Sequence, residues 1–200
     1  MATDVGRILE NLLAFYDFSG KAVIAVGAGG GQLAGYGRAA GKVIAVDRDP
    51  AAMDKLKESA RVLGLSDRFE YWFGDFCDCD RRGDVVLFEF CLHEMVDAAA
   101  ALAKAVTLAP EVVVIDHAPS SVWIYYGAED DKVERSWRIL EKYPIVRRCA
   151  YSAEQRFKNF QELWDKVSPQ GDESLRRIEE FRGRSDIVIP MSYALALIRQ

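Results

Sequence analysis

Five short runs of strand-forming residues, four of them rich in valine or isoleucine and the third aromatic, recur along the first 117 residues, at positions 21–26, 42–46, 68–73, 84–90 and 111–115. Apolar runs of this length read as strands buried on both faces, and strands separated by helices are joined by right-handed crossovers. The expected architecture is therefore α/β: a doubly wound, mostly parallel sheet with helices on both faces, in a single domain. Ligands of such sheets lie beyond the carboxyl ends of the strands.

The intervening segments carry helical spacing. Val5, Ile8, Leu9, Leu12, Leu13 and Tyr16 predict an amphipathic helix over residues 3–17. A second helix is expected over 32–40, stopped by Gly41, and a third opens at Pro50 with Met53, Leu56, Ala60 and Leu63 inward. The alanine-rich stretch 94–107 is a strong helix former. Beyond 117 the rhythm changes. Trp123, Tyr125 and Tyr126 are expected in a loop, a charged helix over 130–142, and two helical pieces within 150–182 around residues 168–171. A last strand is expected over 193–198, and segments 145–157 and 184–190 compete to be the strand before it.

Charge and cysteine content narrow the setting. The net charge of −5 gives no general attraction to nucleic acid. The arginine pairs at 147–148 and 176–177 are the candidates for a local basic face, and solvated surface is the plainer reading. The start of the chain lacks the pattern of a signal peptide, and no apolar run reaches the ~18 residues of a membrane helix. Four cysteines do not make a disulfide framework. A cytoplasmic protein without membrane or nucleic-acid partners is expected.

Chemistry concentrates where the first run ends, in VIAVGAGGGQLAGYG. From Gly27 the loop reads G-x-G-x-G, and from Gly29 it also reads G-x-G-x-x-A, a dinucleotide fingerprint. No Gly-Lys-Ser/Thr follows, which excludes a P-loop. Asp47 ends the second run, 20 residues beyond Gly27, where a carboxylate accepts both hydroxyls of a ribose in either kind of cofactor. Asp75, in FGDF, is placed for an adenine amino group, with the N–H of Phe76 for a ring nitrogen.

VIAVGAGGG, VIAVD, FGDF and DVVLFEFCLHEM, in this order, resemble the four motifs of the class I S-adenosylmethionine-dependent methyltransferases. The resemblance covers residues 20–117 and reaches the C-terminus in outline. It implies a seven-stranded Rossmann-like sheet, S-adenosylmethionine as cofactor with S-adenosylhomocysteine as product, and a small-molecule acceptor. It also implies cofactor contacts from Gly27, Ala28, Gly29, Gly31, Asp47, Arg48, Asp75 and Phe76, with the start of the following helix near the methionine carboxylate. On this reading residues 1–18 are an N-terminal helix, 20–117 the cofactor core and 118–200 the substrate side. The family's acid two residues before the first glycine is Ala25 here, and Glu89 is the expected substitute.

His93 and His117, the two histidines, both follow strand ends on the ligand side and are the candidates to take a proton from the acceptor. Cys77 and Cys79 form C-x-C without a second pair, so no metal site is expected from them or from Cys91. Trp123, Tyr125 and Tyr126, with Phe15 and Tyr16, are candidates for a substrate lid, whereas Trp137 and Trp164 read as packing residues. Two alternatives stay open: a non-catalytic cofactor-binding module working through a partner, and a nicotinamide oxidoreductase.

Overall fold

The five runs form strands β1 (Ala22–Val26), β2 (Lys42–Asp47), β3 (Phe69–Phe73), β4 (Val85–Glu89) and β5 (Glu111–His117). The structure, a computed structural model, describes residues 4–199. These five strands are mutually parallel in the order β3-β2-β1-β4-β5. The chain winds outward from β1 and then restarts at β4 on its other side. That switch opens a crevice above β1 and β4, where the glycine loop and Glu89 lie.

Alternate residues of β1 feed two cores, Val23 and Ala25 to one face and Ile24 and Val26 to the other. Helix α1 (Val5–Phe15) and helix α2 (Pro50–Val62) cover the first face with Ile8, Leu12, Met53 and Leu56. Helix α3 (Ala98–Leu108) and helix α5 (Asp130–Leu140) cover the second with Leu102, Val133 and Trp137. Helix α4 is Val122–Tyr126, so the expected loop carrying Trp123, Tyr125 and Tyr126 is helical.

Three other expectations change. The helix over 32–40 is only a 3-10 turn, Ala34–Arg38; Gly35 and Gly37 inside it each cost about 1 kcal/mol of helix propensity relative to alanine. The alanine-rich helix starts at Ala98 rather than 94, because the Asp97 carboxylate accepts the Ala100 N–H at 2.9 Å and caps it there. The helical pieces of 150–182 shrink to α6 (Phe160–Val167) and α7 (Asp172–Arg177). The predicted start of α1 at residue 3 lies outside the described residues.

Both segments competing for the penultimate strand are strands. Strand β6 (Ile145–Asn159) pairs antiparallel with β7 (Ser185–Arg199), and β7 inserts between β5 and β6. The seven-stranded sheet is therefore mixed, with β7 antiparallel to both neighbours. Strand β7 pairs with β5 only from Tyr193 to Arg199. Residues 185–192 and their β6 partners thus project past the carboxyl end of β5, and Pro190 sits there opposite Glu154. A proline is tolerated at that point because β7 has a single partner strand.

At the opposite end, Glu111 ties three parts of the chain together. Its carboxylate accepts from Lys21 Nζ at 2.7 Å, from the Tyr16 hydroxyl, and from Arg199 Nη2 at 2.7 Å. Burial raises its pKa, but these three donors outweigh that and hold it at about 2. Tyr16, buried and hydrogen-bonded to the carboxylate, is pushed up to about 12. A depressed carboxyl pKa stabilises the fold above its unfolded value and is lost as pH falls through the folded one. Glu111→Gln is therefore expected to lower stability at pH 7, with the deficit shrinking steadily from about pH 4.5 towards pH 2. Urea unfolding of both proteins across that range checks it; a deficit independent of pH would contradict the assignment.

Candidate active site

Two adjoining cavities open above the carboxyl ends of the parallel strands. The first is an open groove of about 840 Å³ lined by Gly27, Gly29, Asp47, Arg48, Asp75 and Phe76, among others. The second, of about 340 Å³, reaches down to Glu89, His93 and His117 and is roofed by Val167 of α6 and by Gln155 and Met191 of the projecting strands. They share Gly27, Gly29, Glu94, Lys166 and Gln170. A ligand in the groove can therefore present one end to the pocket.

The groove depends on missing side chains. Gly27 has φ +67°, and a Cβ there would collide with Cys91, whose Sγ would lie 2.6 Å away. A Cβ on Gly29 would fall 2.6 Å from Asp47 Oδ2 and from the Ala52 Cβ. The backbone of the loop and the Asp47 carboxylate thus meet face to face, with Asp47 Oδ1 held by the Asp49 N–H at 2.9 Å. Asp75 accepts the Cys77 N–H at 2.9 Å, and the buried Phe76 ring stacks edge-on against Phe88 at 5.4 Å to anchor that turn. Arg48 is exposed along the rim.

Ala28 and Gly31, expected at the cofactor, line neither cavity. Ala28 belongs to the core, and Gly31 packs against Ser59 of α2. No α-helix starts after the loop, so the expected helix terminus near the methionine carboxylate is absent; the 3-10 turn stands in its place.

In the pocket, Glu89 is buried and its Oε1 accepts the Tyr36 hydroxyl at 2.8 Å. Burial drives its pKa up to about 7, the Tyr36 bond pulls it down, and Asp47 adds to the rise. Tyr36, fully buried against that carboxylate, is held well above its ordinary range.

The histidines are organised by Asp116, which is 1 % exposed. One carboxylate oxygen lies 2.6 Å from His93 Nδ1 and accepts the His117 N–H at 2.8 Å; the other accepts the His93 N–H at 3.1 Å. His93 Nε2 then points towards Glu94 Oε1 at 3.5 Å and Glu129 Oε2 at 3.9 Å. Burial lowers the His93 pKa, but Asp116, Glu94 and Glu129 outweigh it and lift it to about 10. His93 is thus charged at neutral pH, contrary to the expectation of an imidazole free to take a proton. His117 is the neutral one: burial drops it to about 4, against the pull of Asp116, and the charge on His93 lowers it further. The rings stand 5.5 Å apart, and His117 Nδ1 is buried without a hydrogen-bond partner. Trp137 Nε1 donates to the His117 carbonyl at 2.6 Å and pins the strand end.

Glu129 and Glu94 complete this end. Gln170 donates to Glu129 Oε1 at 2.8 Å, and burial raises the Glu129 pKa to about 7. Glu94 is held down to about 2 by its bond to His93 and by Lys132 at 3.2 Å. Tyr36, Asp116, Glu129 and Lys166 escaped the sequence reading. Asp116 carried a signal, an acid beside a histidine at a strand end; Tyr36 lies in the glycine-rich stretch with no mark of its role, and Glu129 and Lys166 come from segments with no motif.

Of the expected lid, Trp123 alone lines the pocket, stacked on Phe157 at 5.9 Å. Tyr125 is exposed, Tyr126 bonds Glu180, and Phe15 is core. The N-terminal helix contributes Val5 and Ile8 instead. Trp137 packs as expected, whereas Trp164 is 39 % exposed. Cys91 donates to the Val26 carbonyl at 3.1 Å, and burial keeps its thiol protonated.

Neither a protein-family model nor a curated protein sequence matches the chain. Solved structures do. A SAM-dependent methyltransferase of Aquifex aeolicus aligns at TM-score 0.60 and 18 % identity, covering 98 % of this chain and 90 % of that one. The magnesium protoporphyrin IX methyltransferase of Synechocystis, with bound S-adenosylhomocysteine, aligns at TM-score 0.60 and 15 % identity, covering 98 % and 81 %. A Pyrococcus horikoshii protein provisionally assigned to RNA methylation aligns at TM-score 0.61 and 20 % identity, covering 98 % and 82 %. The chain has the fold of the class I methyltransferases.

Removing the Tyr36 hydroxyl tests the buried carboxylate. Hydrogen bonds to charged groups contribute about 1.5–3 kcal/mol, so Tyr36→Phe is expected to lose roughly that much at pH 8, where Glu89 is ionised. The loss should be smaller at pH 5, where Glu89 is protonated. Equal losses in urea unfolding at both pH values would mean that Glu89 does not ionise in this range.

Proposed function

We propose that the protein transfers the methyl group of S-adenosylmethionine to a small-molecule acceptor. The observation that carries this reading is the confluence of the two cavities at Gly27 and Gly29. On this reading the adenosine lies in the groove, with its ribose hydroxyls on Asp47 and its adenine amino group on Asp75. Met95 and Val96 flank the base; Val96 is 91 % exposed, an apolar side chain left for a ligand to cover. Lys166, which forms no ion pair among the described residues, meets the amino-acid carboxylate from the α6 side. Glu89 faces the cationic end of the donor and takes the part of the acid missing at Ala25. The cofactor supplies the activated methyl, and the protein supplies alignment and a dry site.

The acceptor occupies the pocket with its nucleophilic atom at the two-histidine end. Displacement is in line, so that atom and the sulfonium must lie on opposite sides of the methyl carbon. Burial and the roof formed by α6 and the projecting strands exclude water there. A pocket of about 340 Å³ suits a small organic molecule.

Two features favour this reading over a nicotinamide dinucleotide. A pyrophosphate needs the N-terminus of a helix after the glycine loop, and here a 3-10 turn follows. The cleft also carries Asp47, Asp75, Glu89, Glu94 and Glu129, a field that attracts a sulfonium and an ammonium and repels phosphates. Both arginine pairs are spent within the chain: Arg148 on Glu141 and Trp137, Arg147 on the Phe15 carbonyl, Arg176 on Glu173, and Arg177 on Asp130 and Glu173. This argues against a nucleic-acid acceptor.

Calorimetric titration with S-adenosylmethionine, S-adenosylhomocysteine and NADH tests the proposal. Both sulfur nucleosides are expected to bind, and Asp75→Ala should weaken them by about 10- to 100-fold, the loss of a charge-assisted hydrogen bond. Because Glu89 has its pKa at about 7 and a cationic ligand favours its ionised form, S-adenosylmethionine affinity should rise up to about tenfold from pH 6 to pH 8. Glu89→Gln should flatten that rise. Binding of NADH alone, or of none of the three, would overturn the reading.

A further inference from the structure

Among the described residues, one cluster brings three ligand-type side chains together: His93, His117 and Glu129, all buried, with one ligand atom of each within 4.8 Å of the others. The three come from separate elements, the 3-10 turn after β4, the end of β5, and the segment between α4 and α5. No cysteine takes part. The cluster lies on the wall of the histidine pocket.

We propose that His93, His117 and Glu129 bind a divalent transition-metal cation, zinc-like in its ligand preference, at the inner end of this pocket. Two imidazoles and one carboxylate suit zinc or iron(II), whereas magnesium and calcium prefer all-oxygen sites.

The surroundings of the cluster are those of a metal site. Asp116 holds His93 through Nδ1 at 2.6 Å and Nε2 faces Glu129; a cation there displaces the Nε2 proton, which is released to solvent on binding. This carboxylate–histidine arrangement is the one that orients imidazoles on metals. Gln170 holds Glu129 through Oε1, and Oε2 is the atom turned to His93. His117 carries a buried ring nitrogen without a partner, an uncompensated group that a cation bond would satisfy. Four-coordinate bonds of about 2.0–2.1 Å place ligand atoms about 3.3 Å apart, so the side chains close by about an ångström on binding.

Three protein ligands leave one position open, the pattern of catalytic rather than structural zinc. Here it faces the pocket that also contains Gly27, Gly29 and Glu89. An acceptor oxygen, nitrogen or sulfur bound to the cation would be held towards the groove. That role rests on the methyl-transfer reading; the metal binding itself does not.

The test uses the full chain, stripped with a chelator and titrated with zinc chloride against a chromophoric zinc indicator, with no methyl donor present. One equivalent is expected to bind. Glu129→Gln and His117→Gln should each weaken it at least about tenfold, and Asp116→Asn by about 10- to 100-fold through the misaligned His93. Cys77→Ser should leave it unchanged. Because these buried variants risk misfolding, cobalt(II) titration of the unaltered protein is the second measurement. Intense d–d absorption without a thiolate charge-transfer band is expected. Absence of stoichiometric binding, binding indifferent to Glu129→Gln in a folded protein, or a thiolate band would each overturn the proposal. None of these results alters the nucleoside titration, so the two readings fail independently.

Discussion

Asp116 sits at the end of β5 with its carboxylate buried between two histidines. Taking such a group out of water costs several kcal/mol unless donors surround it. Here the donors are two backbone N–H groups and one imidazole, and all belong to residues that must be placed for the site to exist. The same interaction docks the segment after β4 onto β5, orients the His93 ring and holds the His117 N–H at the end of β5. Losing one partner of a buried pair of this kind typically costs about 3–5 kcal/mol.

On that base the cleft divides by access to water. The groove above β1, β2 and β3 is open, and its carboxylates Asp47 and Asp75 are at least partly solvated. The pocket above β4 and β5 is walled by α1, α6 and the projecting part of β6 and β7, and its carboxylates Glu89 and Glu129 are buried. The same side-chain type thus does different work on the two sides. The solvated carboxylates are open to hydrogen-bond donors of a ligand, while burial raises Glu89 and Glu129 to about 7 and lets them respond to a ligand's charge.

Much of the first half of this arrangement was legible in the chain. Short β-branched runs bounded by glycine or aspartate admit little but buried parallel strands, and their order places Gly27, Gly29, Asp47 and Asp75 at one sheet edge. Local signals failed where a neighbour outweighed propensity. Residues 150–159 are polar and alternate weakly, yet they are strand because β7 offers a full ladder of partners. Residues 32–40 look helical but carry Gly35 and Gly37, and only a 3-10 turn forms. Gly31 belongs to the loop motif, but its near neighbour is α2.

Local pattern and backbone chemistry therefore determined the parallel strands, the bare loop at Gly27–Gly29 and the acids at the strand ends, because each depends on residues close in sequence. The tertiary structure decided in which direction each histidine shifts, which carboxylates are buried, that Tyr36 bonds Glu89 from the core, and that Glu129 and Lys166 line the cleft. Those properties depend on burial and on charges brought from distant segments. Electrostatic energy in a low-dielectric pocket is set by distances of a few ångströms, and only the folded chain defines them.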